Sequence, residues 1–85
     1  MKAVNEEIDL HRLTVDEAIP RVKDFLQHAY RNRYRRVWII HGKGTGTLRA
    51  EVWRLLAKHP QVLRYCCADG QHGGEGATQV EIKDK

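Results

Sequence analysis

Eighty-five residues suffice for one domain over residues 1–85, with a core at roughly 7–83, and leave too small an interior to enclose a cofactor together with its substrate; function is expected in a surface cleft. Fifteen lysines and arginines against eleven acidic residues give a net charge of +4, which suits a polyanionic partner. No apolar run approaches a membrane span, the first seven residues lack the apolar core of a signal peptide, and adjacent Cys66 and Cys67 face opposite ways in a strand and do not pair, so a soluble, cytoplasmic protein with reduced thiols is expected.

In chain order, Ile8 and Leu10 mark a short strand over residues 7–10, followed by a turn at His11, Arg12 and Leu13. Thr14 with Glu17 three residues later forms a capping box, and Ala18, Val22, Phe25, Leu26, Ala29 and Tyr30 recur at the spacing of one buried helical face. Pro20 removes a backbone donor beyond the first turn, which predicts either a bend or a late helix start. After the basic run 31–36, residues 37–40 form a second strand. A glycine turn follows, and a second helix capped by Gly46 or Thr47 buries Leu48, Val52, Leu55 and Leu56 until His59 and Pro60 stop it. Residues 62–66 read as a third strand. A loop with four glycines at residues 69–76 precedes a fourth, in which Thr78, Val80 and Ile82 alternate. Trp38 and Trp53 are expected in the core or at its margin.

This order, βαβαββ, predicts a two-layer α/β sandwich with a four-stranded mixed sheet and two helices. Each strand-helix-strand crossover makes its two strands parallel, so the first three strands point the same way. Their C-terminal ends bring Asp9 and His11, the turn from His41, and the loop holding His72 to one edge, where open α/β sheets bind ligands. The arginines of 31–36 fall at the opposite edge, where cations favour the helix C-terminus.

The turn His41-Gly42-Lys43-Gly44-Thr45-Gly46 opens a helix, and its alternate glycines let backbone amides approach an anion; Lys43 and Arg49 add positive charge. Phosphate is the expected ligand. The turn lacks the two-residue gap of a dinucleotide fingerprint and the Gly-Lys-Ser/Thr ending of a P-loop. Asp9 and His11, two apart at a strand end, share a face, so the carboxylate is placed to orient the imidazole. His41 stands at the anion nest, with proton transfer or a cap on the turn as its alternative roles. Asp9, His11, His41 and His72 have the donor types for a metal but not the helical ligand spacing; no metal and no cofactor are expected.

Three segments together resemble the small MutS-related (Smr) domain: Ile8-Asp9-Leu10-His11 before a helix, His41-Gly42-Lys43-Gly44-Thr45-Gly46-x-Leu48-Arg49 after a strand, and Gly73-Gly74-Glu75-Gly76-Ala77-Thr78-x-Val80-Glu81 near the end. The resemblance spans residues 7–83. It implies a fold like the C-terminal domain of bacterial translation initiation factor three and a nuclease that nicks DNA or cleaves RNA, in DNA repair and recombination control or on ribosomes. It places the active edge on Asp9, His11, His41, Gly42 and Gly44. Arg12 stands where family members often have glycine, and Pro20 interrupts the first helix. The closing segment is similar to that of bacterial MutS-like ATPases, whereas Asp9-Leu10-His11 is similar to stand-alone members, leaving open a complete small protein or a C-terminal domain.

The expected function is a metal-independent endonuclease on DNA or RNA, with Asp9, His11 and His41 catalytic. Gly42, Lys43, Gly44, Thr45, Gly46, Arg49, Arg12, Gly73 and Gly74 are expected to hold phosphate or nucleic acid. The ribosome is a further candidate partner, and neither a membrane nor a small-molecule substrate is expected. The alternative is a non-catalytic module that binds nucleic acid or ribosomes for a larger protein.

Overall fold

The computed structural model describes residues 7–42, 46–68 and 76–84. In chain order it contains β1 (Glu7–Asp9), α1 (Val15–Arg31), β2 (Arg36–Ile40), α2 (Thr47–Lys58), β3 (Val62–Cys67) and β4 (Ala77–Ile82). The sheet order is β1-β2-β4-β3, with β1 parallel to β2 and β4 antiparallel to both its neighbours. The first three strands therefore share a direction, as the crossover geometry requires. Their C-terminal ends lie with the start of β4 at one edge of the sheet.

Thr14 starts α1 through the capping box that its sequence announces: its Oγ1 accepts from the Glu17 amide at 3.2 Å, while Glu17 Oε1 accepts from the Thr14 amide at 3.0 Å. The helix begins at Val15 and continues through Pro20, so the late start is not what occurs. Proline leaves the Asp16 carbonyl without its helical donor, and both residues are exposed, where water supplies the bond. Ala18, Val22, Phe25, Leu26 and Ala29 form the buried face, and Tyr30 packs at its margin.

The end of α1 is a Schellman motif with an arginine in the left-handed position. The Tyr34 amide donates to Ala29 O at 2.9 Å and the Arg33 amide to Tyr30 O at 3.2 Å, with Arg33 at φ 61°. A Cβ in this region costs about 1–2 kcal/mol. Arg33→Gly is therefore expected to stabilise the fold by about 1 kcal/mol, read as a rise of roughly 4–8 °C in a thermal melt. An unchanged or lower melting temperature would refute the strain at this position.

Gly46 caps α2 at φ 87° without a side-chain cap bond, and Pro60 holds His59 extended so that the helix stops at Lys58. Val52 and Leu56 are buried, whereas Leu48 and Leu55 sit half-exposed at the seam between the helices. Register divides the strands between two faces. Val37 and Ile39 pair with Val80 and Thr78, and Ile8 and Tyr65 share their side, toward the helices. Arg36, Trp38, Ile40, Gln79, Glu81, Arg64 and Cys66 occupy the other face. Both cysteines are free and exposed. Among the described residues no helix is long and apolar enough to cross a membrane.

Candidate active site at the C-terminal edge of the sheet

Backbone bonds gather the edge. Leu10 N donates to Ile40 O at 2.6 Å, and the successive amides of His41 and Gly42 both donate to Gly76 O, at 3.0 and 2.8 Å. These bonds place the segment after β1 beside the one after β2, against the entry to β4.

Asp9 and His11 meet as a pair. Asp9 Oδ1 accepts from the His11 ring at Nδ1, 2.5 Å away, and from the His11 backbone amide at 3.0 Å. Both side chains are about half exposed. These two bonds, the ring contact foremost, hold the Asp9 carboxyl below its ordinary pKa. Arg12 Nε donates to the other ring nitrogen, Nε2, at 3.2 Å. The imidazole thus carries its proton on Nδ1 and presents a lone pair at Nε2.

His41 faces the other way. Alternation along β2 turns residues 37, 39 and 41 toward the helices, and His41 is only 4% exposed. Its Nδ1 bonds Gly42 O at 3.0 Å, and its Nε2 lies 2.8 Å from Thr78 Oγ1, which also accepts from Trp53 Nε1 at 2.7 Å. One assignment satisfies every atom: the indole donates to the Thr78 hydroxyl, the hydroxyl donates to Nε2, and Nδ1–H donates to the Gly42 carbonyl. Burial, with a smaller contribution from the Arg49 charge, pushes the His41 pKa down against the opposing effect of the Gly42 carbonyl. Trp53 is the hub of this layer, since its ring also meets Tyr65 edge-on at 5.0 Å and carries the Arg49 guanidinium 5.7 Å above it.

The cleft enclosed by these segments has a volume of about 260 Å³ and runs from His11 and Gly42 to the openings of both helices, with Arg49 on its wall. The first turn of α2 contains no acidic residue and its cap position offers no side-chain acceptor, so its amides suit an anion. Asp16 and Glu17 make the start of α1 less suitable.

The structure therefore brings together Asp9, His11, Arg12, Gly42, Gly46 and Arg49, and places His41 beneath them with both ring nitrogens engaged. Lys43, Gly44, Thr45, His72, Gly73 and Gly74 lie outside the described residues. No three His, Cys, Asp or Glu side chains among the described residues are arranged to hold a metal ion. Thr78 and Trp53 were not singled out as site residues by sequence. Their signal was present: a threonine in the inward row of β4, and an indole beside the buried Val52 stripe, each bring a polar atom to a face that hides it.

Gly42 combines two constraints. Its φ is 82°, and a Cβ built there would lie 3.2 Å from His11 Cβ, whereas Gly46 at φ 87° has open space. Gly42→Ala is expected to cost about 1–2 kcal/mol in backbone strain and to push His11 away from Asp9. Gly46→Ala carries the backbone cost alone. Thermal melts and the His11 ring ¹⁵N shifts measure both effects; a His11 signal disturbed equally by the two variants would contradict the close approach.

The site is a cleft at the sheet edge of a two-layer α/β domain, with the Asp9-His11 pair beside Gly42 and the first turn of α2. The family description "Smr domain" matches residues 8–83, and the chain belongs to that family. Endonuclease MutS2 of Thermotoga petrophila is 43% identical over 77 residues, covering 91% of this chain and 10% of that protein. The chain thus spans about a tenth of the length of such curated relatives. The crystal structure of the Smr domain of Thermus thermophilus MutS2 is 35% identical, with a TM-score of 0.87 over 91% of this chain and 96% of that one. YdaL, a stand-alone small MutS-related protein from Escherichia coli, is 34% identical, with a TM-score of 0.91 over 96% of this chain and 67% of its own.

Proposed function

We propose that this edge is the catalytic centre of a phosphodiester endonuclease acting on nucleic acid, with His11 as the proton-transfer group and Asp9 as its orienting partner. The observation that carries the reading is the exposed Asp9-His11 pair, with His11 lining a cleft shared by the α2 N-terminus and Arg49. The endonuclease relatives support the reaction class. On RNA, the 2′-hydroxyl proton passes to His11 Nε2 as the 2′-oxygen bonds phosphorus and the bond to the 5′-oxygen breaks. The leaving 5′-oxygen takes its proton from water in the open cleft. Arg12 occupies Nε2 in the free protein, and an incoming phosphate draws the guanidinium into a charge-assisted bond, which frees the base as substrate arrives. His41 is assigned to positioning: its ring braces the Gly42 carbonyl from below.

One observation favours a second reading. With His41 buried and engaged, the described cleft holds a single exposed imidazole where a proton-relay pair needs two, as a module that only binds nucleic acid would. The test is incubation of the purified chain with labelled single-stranded RNA and with supercoiled plasmid, each with and without EDTA. The proposal expects RNA cleavage that survives EDTA, leaves a 2′,3′-cyclic or 3′-phosphate end, and stops when the ribose 5′ to the scissile bond is deoxyribose. Cutting of the deoxyribose substrate would make water the nucleophile. Loss in EDTA would recast Asp9 and His11 as metal ligands, and binding without cleavage would establish the module.

A further inference from the structure

A second groove lies farther along the same two helices. Val15, Ile19 and Lys23 follow one another at four-residue spacing on α1, with Val15 at the cleft and Ile19 and Lys23 at the groove; on α2, Leu48 is at the cleft and Leu55 and Lys58 at the groove, so the two lie in line between the helices. The lower groove measures about 400 Å³. Its floor is apolar, with Ile19 and Leu55 half-buried. Its rim carries Lys23, Arg54 and Lys58 against one carboxylate, Glu51, whose Oε1 lies 3.7 Å from Arg54 Nη1. Lys23 also faces His59 at the far end, where burial and this neighbouring charge both lower the histidine pKa.

The opposite face of the sheet has another charge pattern. Glu7 and Asp9 share it, and Arg36 and Arg64 both turn to Glu81, at 3.9 and 3.0 Å. A polyanion finds excess positive charge between the helices and not across the sheet.

We propose that the valley between α1 and α2 is the track of a single nucleic-acid strand leaving the active edge, with its phosphates on Lys23 and Lys58. This inference rests on the nuclease reading of the edge. The two helices pack against each other, and the groove along their seam has Lys23 of α1 on one rim and Arg54 and Lys58 of α2 on the other. The twelve residues of α2 span about 18 Å, room for a few nucleotides of an extended strand. Since the floor is aliphatic, recognition there is of the backbone and tolerates any base sequence.

The test measures affinity by fluorescence anisotropy for end-labelled oligouridylates and oligothymidylates of four and twelve nucleotides. The twelve-mer is expected to bind about tenfold or more tightly than the four-mer. Lys23→Gln combined with Lys58→Gln should abolish that gain, leave four-mer affinity unchanged, and flatten the slope of log K against log salt by about 1.4, from about 0.7 per phosphate contact. Arg36→Gln with Arg64→Gln should leave the gain intact. Equal affinity for both lengths, or loss of the gain only in the sheet-face variant, would overturn the track while the active edge stands. If the wild-type chain binds neither length, the nuclease reading itself fails.

Discussion

His11→Ala is expected to lower cleavage by about 10²–10⁴-fold, the contribution of a positioned general base, with little change in affinity for the oligonucleotide. The residue is about half exposed, so its removal should leave the melting temperature nearly where it was. Asp9→Asn is the sharper variant. Asparagine keeps an oxygen that accepts from the His11 backbone amide, but removes the charge that stabilises the imidazolium during proton transfer. It is expected to lower kcat by at least tenfold with KM little altered. Because the Asp9 carboxyl sits below its ordinary pKa, it remains charged throughout the neutral and mildly acidic range, and loss of activity on mild acidification cannot be traced to it. Parallel kcat and stability losses would make the pair a structural clasp. Unchanged cleavage in His11→Ala, in a preparation free of other nucleases, would end the catalytic assignment.

What the sequence disclosed depended on how local the determining contacts were. The Thr14-Glu17 capping box spans three residues, and the α1 stripe repeats within one helix, so both were readable. The Asp9-His11 contact spans two residues and follows from strand periodicity. Strand order was not readable, because the insertion of β4 between β2 and β3 is set by pairings such as Ile39 with Thr78, far apart along the chain. The environment of His41 was hidden for the same reason. Its partner Thr78 lies 37 positions away and Trp53 reaches that hydroxyl from another helix. At the glycine turn His41 has two readings, proton transfer at an anion or a cap on the turn, and the alternation Val37, Ile39, His41 directs it inward; the structure buries the ring against the Gly42 carbonyl. The positive φ of Gly42 is legible from its place in a glycine turn; its second constraint, the approach of His11 Cβ, requires both segments to be placed.

Burial of two histidines predicts a dependence of stability on acidity. His41 and His59 both have pKa values lowered from about 6.5 by burial, so below that value the unfolded chain binds more protons than the folded one. Stability is then greatest above the ordinary histidine pKa and falls as pH drops toward the lowered folded values. Melting temperature should be flat from pH 7 to 8 and decline below about 6.5. His41→Gln should flatten part of that decline, leaving the contribution of His59. Thr78→Val tests the relay directly. The substitution preserves shape but leaves Trp53 Nε1 and His41 Nε2 without their shared partner, at about 1–3 kcal/mol for each orphaned group when no water reaches it. Trp53 is half-exposed and recovers some of this from solvent, so a net loss of about 2–3 kcal/mol is expected, a fall of roughly 10–20 °C in a domain of this size. Thr78→Ser keeps the hydroxyl and should restore most of the difference. If valine and serine at this position melt alike, the hydroxyl does not carry the relay, and the support of Gly42 must come from packing alone.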